Sequence, residues 1–265
     1  IPLVHIQGGE VTGSIDDKVR HAVTKLADYH FVATEASGRR VCRMGELSDR
    51  TFVTGCPSID LASEVASSPA LDFDPYSKYG GVGSRSKLEA GYLVVLQHPV
   101  TTEYEDSHKQ IIETLHAVKN SGLPTLWFWP NPDAGSDASS NAIRTFRELH
   151  LSSNMHFFKN MAPTDFLKLA LNSRCIVGNS SVAIRECSYL GVPAVNIGTR
   201  QQGRERGANV LDVGYDRLEI STAIGSHIKS GKVARDLLYG DGRAGEKIAN
   251  LLSTIAFTPD LHTVE

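Results

Sequence analysis

Short runs of β-branched and aromatic residues alternate along the chain with longer segments whose apolar positions recur every three to four residues. The first run, residues 1–6, reads as a strand. From Asp16 to Asp28, Val19, Ala22, Val23 and Leu26 fall at helical spacing. A strand at His30–Thr34, a helix at Glu35–Met44 and a strand at Thr51–Thr54 follow. Residues 65–90 lose periodicity and gather Ser, Pro and Gly, which predicts a linker or irregular segment. Beyond it the alternation resumes, with strands at Tyr92–Leu96, Thr125–Phe128, Met155–Phe158, Cys175–Val177 and Ala194–Ile197. Helices are predicted between them at Ser107–Ser121, about Ser139–Leu149, Pro163–Asn172 and about Val182–Leu190. Strands alternating with helices predict an α/β fold with parallel sheets, whose ligands sit at the carboxyl ends of the strands. The chain opens directly on a strand, so the fold is expected to begin upstream of Ile1.

Composition narrows the function classes. A formal net charge of −3 over 265 residues gives no general attraction to nucleic acid or anionic membrane. An anionic ligand must then be held by local groups. The four cysteines, Cys42, Cys56, Cys175 and Cys187, form no CxxC pair, which argues against a zinc site or disulfide framework and for a reducing, cytoplasmic setting. No apolar run approaches the roughly 20 residues that a membrane-spanning helix needs.

Four segments carry candidate chemistry. In residues 175–206 a buried strand ends in Gly178-Asn179-Ser180-Ser181, and a helix is expected to open at once. Hydroxyls and free amides at such a turn, together with the helix dipole, suit a diphosphate. Glu186, six residues after Ser180, can accept from ribose hydroxyls, and Arg200 and Arg204 supply donors for phosphate. The serines could instead cap the helix and the arginines could be solvated. In residues 5–30 a strand runs into Gly8-Gly9, where backbone can approach a ligand closely. Glu10, then Asp16 and Asp17, are candidate general acids or bases, with Arg20 and His21 one turn on. Acidic residues in a first helical turn also simply complement its dipole. His98 stands at a strand tip opposite the serine turn, although a lone histidine often only packs. Asn131 follows another strand end, where it can also form a turn, and Gly135-Ser136 opens the next helix.

Taken together, the segments HIQGGEVTGSIDDKVRHAVTKLADYHF, TGCPSID, LQHPVTTE, PNPDAGS, GNSSVAIRE, GVPAVNIGTRQQGRE and LYGDG resemble the hydrolysing UDP-N-acetylglucosamine 2-epimerases, in the family's order and as far as about Gly242. The sialic-acid-pathway enzymes and the epimerase half of the animal bifunctional epimerase/kinase are most similar in these stretches. The resemblance implies two Rossmann-like domains arranged as in GT-B glycosyltransferases, the N-terminal one incomplete. Residues 1–64 would be its C-terminal part, 65–90 a linker, 91–240 the UDP-binding domain and 241–265 a C-terminal helix and tail. It also implies that Ser180, Ser181 and Arg200 contact phosphate and that Glu186 binds ribose. His98 and Asn131 would line the pocket, with Ser136, Lys159 and Arg20 as further ligand contacts. Asp16 and Asp17, with Glu10 and His98, become the catalytic candidates. The implied reaction removes the C2 proton while UDP leaves C1, and water then adds to give N-acetylmannosamine. Neither a cofactor nor a catalytic metal is implied, and a homo-oligomer is.

Position 7 is Gln where the family often carries Glu or His, so an acid–base role does not transfer to it. Two alternatives remain open: hydrolysis of a related nucleotide sugar, such as a UDP-linked diacetamido-trideoxy-hexose or a GDP-linked analogue, and nucleotide-sugar binding without chemistry.

Overall fold

The computed structural model describes residues 1–12, 16–130, 135–150 and 154–257. The first unit is built from β1 (Val4–Ile6), α1 (Asp16–Leu26), β2 (Tyr29–Val32), α2 (Glu35–Arg43) and β3 (Thr51–Val53). Its strands form a parallel sheet in the order β1-β2-β3. Then come α3 (Pro57–Ser67), α4 (Pro75–Tyr79), β4 (Val82–Gly83), β5 (Leu93–Leu96), α5 (Ser107–Asn120), β6 (Thr125–Phe128) and α6 (Ser136–Leu149). The remainder is β7 (Met155–Phe158), α7 (Pro163–Leu171), β8 (Cys175–Gly178), α8 (Glu186–Leu190), β9 (Ala194–Ile197), β10 (Val210–Val213), α9 (Arg217–Ser230) and α10 (Ala244–Thr254).

The second sheet has seven strands in the order β10-β9-β8-β5-β6-β7-β4, parallel except for β4, which runs antiparallel to β7. Strands β5 to β9 are buried on both faces, which explains their near-continuous apolar sequence, whereas the edge strands β4 and β10 are largely exposed. One face carries the core around Leu115, Trp127, Ile143 and Ile220 beneath α5, α6 and α9. The other packs Ile59, Leu169, Ile176 and Cys187 beneath α3, α7 and α8. The strand order reverses between β5 and β8. A crevice therefore opens beyond their carboxyl ends, the usual ligand position in such sheets.

Two segments couple the units. Helix α3 leaves the first sheet with Pro57 at its start and packs against α7 and α8 of the second. On the return, α10 packs on α3, and the Asp60 carboxylate accepts hydrogen bonds from the amides of Ala244 (2.8 Å) and Gly245 (2.6 Å) at its start. Beyond α10, Phe257 meets Tyr29 edge-on, ring centroids 4.9 Å apart.

The stretch 65–90 differs from expectation. It holds the end of α3, all of α4, and β4, which closes the sheet edge at β7. Tyr76 is buried, stacks on Phe158 and donates to the Ser86 carbonyl. Long-range packing of one aromatic residue orders a segment with no periodicity of its own. Among the described residues no helix is long and apolar enough to cross a membrane, and all four cysteines are free.

Candidate active site

The turn after β8 is shaped by two residues. Gly178 has φ 134°, and a Cβ there would lie 2.0 Å from the Leu96 carbonyl oxygen, so only glycine lets β8 approach β5 this closely. Asn179 is fully buried, and its side-chain amide completes the ladder between the two strand tips. It accepts from the His98 amide and donates to the His98 carbonyl, each at 2.8 Å. Its own carbonyl takes hydrogen bonds from Arg200 (3.2 Å) and Gln201 (2.9 Å), which tie the loop after β9 to the turn. Ser180 is extended, and Ser181 begins a single 3-10 turn at Ser181–Ala183.

The expected helix over 182–190 is broken. After the 3-10 turn, Arg185 precedes the five-residue α8. The interruption lets the Arg185 side chain reach back toward the first unit, where Nη1 donates to Gln7 Oε1 at 3.2 Å. Nη2 lies 3.3 Å from Ser181 Oγ and 3.5 Å from Glu186 Oε1. An uninterrupted helix dipole aimed at the turn is thus absent, and side-chain guanidinium groups supply the positive charge.

Facing this turn is the loop after β1. Gln7 has φ 64°, a left-handed conformation uncommon outside glycine, and its Nε2 donates to Cys56 Sγ at 3.1 Å. Gly9 also has positive φ, but the close approach it permits is to α2: a Cβ would lie 2.3 Å from the Ser37 carbonyl oxygen. Glu10 is buried and pairs with Arg204 at 3.0 Å. Asp17 Oδ1 accepts from the Thr12 amide and hydroxyl, both at 2.9 Å, and pairs with Arg20 at 2.8 Å. Its neighbour Asp16 is exposed at the cleft.

Between the two loops lies a polar cavity of about 200 Å³, lined by Gln7, Glu10, Thr12, Asp16, Arg20, Ser181, Arg185, Arg200, Gln201 and Arg204. Four arginines stand against two carboxylates, an excess of positive charge that favours a polyanion in a confined space. His98 is buried nearby, and burial, aided by the Arg200 charge, lowers its pKa to about 4, so its imidazole is neutral at physiological pH.

The predicted residues divide by place. Glu10, Asp16, Arg20, Ser181 and Arg200 line one cavity. Asp17 sits behind it, holding Thr12 and Arg20. Glu186 is buried behind Arg185, with Oε2 unpartnered. Ser180 precedes Ser181 in the turn, and Ser136 is the first residue of α6. Lys159 is exposed just past β7. Asn131 lies outside the described residues. Sequence reasoning passed over Arg185 and Gln201. Their signal was available, since each adjoins a candidate, Glu186 or Arg200.

A family profile for UDP-N-acetylglucosamine 2-epimerase matches residues 1–253. The chain belongs to this family. The UDP-N,N'-diacetylbacillosamine 2-epimerase (hydrolyzing) of Legionella pneumophila is 32% identical over 255 residues, covering 96% of this chain and 65% of that protein. The Neisseria meningitidis UDP-N-acetylglucosamine 2-epimerase is 30% identical over 238 residues, covering 90% and 60%. This epimerase-family chain thus spans somewhat less than two thirds of the length of these relatives. The Methanocaldococcus jannaschii UDP-GlcNAc 2-epimerase in complex with UDP-GlcNAc and UDP superposes with a TM-score of 0.74 at 16% identity, covering 96% of this chain and 69% of that one. The likeness shows the α/β, GT-B-like fold of two Rossmann-like units.

Proposed function

We propose that this epimerase-family protein is a hydrolysing UDP-N-acetylglucosamine 2-epimerase, turning UDP-GlcNAc and water into N-acetylmannosamine and UDP. The observation that carries the reading is the single cavity in which the acidic tip at Glu10 and Asp16 faces Ser181, Arg185, Arg200 and Arg204. A base takes the proton from C2 while the C1–O bond breaks and its electron pair leaves with UDP. Water then returns a hydroxyl to C1 and a proton to C2, from the opposite face. The arginines and the serine turn neutralise the departing diphosphate inside a partly dehydrated site, where such stabilisation is strongest. Asp16, exposed at the cleft and lining the cavity beside Arg20, is the carboxylate we assign to proton transfer, whereas Asp17 lies behind the cavity wall with Thr12. Neutral His98, fixed at the β5 tip, is suited to hydrogen-bond the nucleotide.

Proton NMR of UDP-GlcNAc with the protein tests this: free UDP and N-acetylmannosamine should accumulate together. Binding without either product would leave a nucleotide-sugar-binding protein in place of an enzyme. A second reading, hydrolysis of a UDP-linked diacetamido-trideoxy-hexose, is favoured by the 32% identity to the Legionella protein. Faster turnover of that sugar nucleotide than of UDP-GlcNAc would establish it. The protein is also proposed to act as a homo-oligomer, and a monomer by light scattering would refute that.

A further inference from the structure

The ion pair between Glu10 Oε2 and Arg204 Nη2, 3.0 Å long, crosses from the first unit to the second with both side chains only 5% exposed. It is half satisfied. Glu10 Oε1 has no hydrogen-bond partner, and neither do Arg204 Nε and Nη1. A buried carboxylate oxygen and two buried guanidinium donors left unmatched each cost desolvation energy that an empty protein does not recover. Shape and charge both restrict what can fill them. Arg204 has only donors, so its partner must be an acceptor, and with Arg20, Arg185 and Arg200 lining the same cavity that acceptor is anionic. Glu10 has only acceptors while it is paired with Arg204, so its partner must be an O–H or N–H group.

We propose that Glu10 and Arg204 together form a ligand-reading pair for a glycosyl phosphate. Arg204 takes a phosphate oxygen through Nε and Nη1, and Glu10 Oε1 accepts a hydroxyl or amide hydrogen from the sugar on that phosphate. This inference rests on the reading of the cavity as a nucleotide-sugar site. It assigns the pair a task beyond holding the two units together, and it separates the sugar from the nucleotide. UDP presents the phosphate alone, whereas UDP-GlcNAc presents phosphate and sugar donors side by side.

Glu10→Gln discriminates sharply. The guanidinium only donates, so the new amide oxygen stays on Arg204. The amide NH2 then replaces Oε1 and cannot accept the sugar's hydrogen, so the charge-assisted hydrogen bond is lost. Affinities for UDP and UDP-GlcNAc are to be read by displacement of a fluorescent UDP analogue, within seconds of mixing so that turnover does not deplete the sugar nucleotide. Glu10→Gln should weaken UDP-GlcNAc relative to UDP about tenfold or more, the scale of one charge-assisted hydrogen bond, because both ligands share the gain from removing a negative charge and only the sugar nucleotide loses an acceptor. Arg204→Lys should weaken both. Should Glu10→Gln fail to fold, Glu10→Asp, which withdraws the carboxylate by one methylene, should show the same selective loss. Equal losses for the two ligands, or none, would overturn the pairing while leaving the site intact. Failure of the wild-type protein to bind either ligand would overturn the site and the pair together.

Discussion

Replacing Asn179 by alanine should destabilise the protein and pull apart the two strand tips that frame the cleft. The side chain is fully buried and makes two 2.8 Å hydrogen bonds, one to the His98 amide and one to the His98 carbonyl. Removing it strands both backbone groups in a site closed to water. Each orphaned group costs about 1–3 kcal/mol, so about 4 kcal/mol is expected in all. For a chain of this size about 1 kcal/mol moves Tm by roughly 2–4 °C, which places the drop near 10 °C. Asn179→Asp keeps the volume but turns a buried carboxylate oxygen onto the His98 carbonyl in place of the donor, so it perturbs the hydrogen bonding without forming a cavity. It should be destabilising to a similar degree. Thermal unfolding followed by circular dichroism measures both. A shift of less than about 2 °C for Asn179→Ala would refute the view that this amide holds β8 to β5.

The double change Ser180→Ala and Ser181→Ala should weaken UDP binding about tenfold through loss of hydroxyl donors at the turn, and unchanged affinity by calorimetry would count against a phosphate site there. Asp17→Asn should lower Tm, because it strips the charge from the oxygen that accepts twice from Thr12 and pairs with Arg20, whereas Asp16→Asn, at the exposed cavity wall, should lower turnover by the larger factor. Reversal of the two effects in paired melting and rate measurements would exchange their roles. His98, with its pKa lowered to about 4, should make the fold acid-sensitive. Between that value and about 6.5 the unfolded chain binds the extra proton, so stability is retained above pH 6.5 and is lost as pH falls toward 4, by about 3 kcal/mol in total. Urea midpoints at pH 7.5 and 5 should fall further in the wild-type protein than in His98→Asn, and equal falls would contradict this.

Much of the architecture could be read from local sequence because strands buried on both faces leave unbroken apolar runs, as at Leu93–Leu96 and Cys175–Gly178. The serine turn was equally visible, since Gly178 meets a steric demand that no other residue satisfies. Features made by distant contacts were hidden. Periodicity cannot show that Tyr76 packs on Phe158, so β4 was missed inside an apparent linker. The residues after Ser181 have a helical composition, yet the chain breaks there, where Arg185 bonds to Gln7, 178 positions away. Asp16 and Asp17 are indistinguishable in sequence. Only the folded loop shows one at the cleft and the other bound to Thr12. The pairing of Glu10 with Arg204 likewise exists only once both units are assembled.

A crystal structure of the protein grown with saturating UDP tests the proposed site most directly. The diphosphate should rest between Ser181 and Arg200, within hydrogen-bonding distance of both, and open toward Glu10 and Asp16. Density for UDP anywhere else, or a cavity filled by protein side chains at saturating nucleotide, would contradict it.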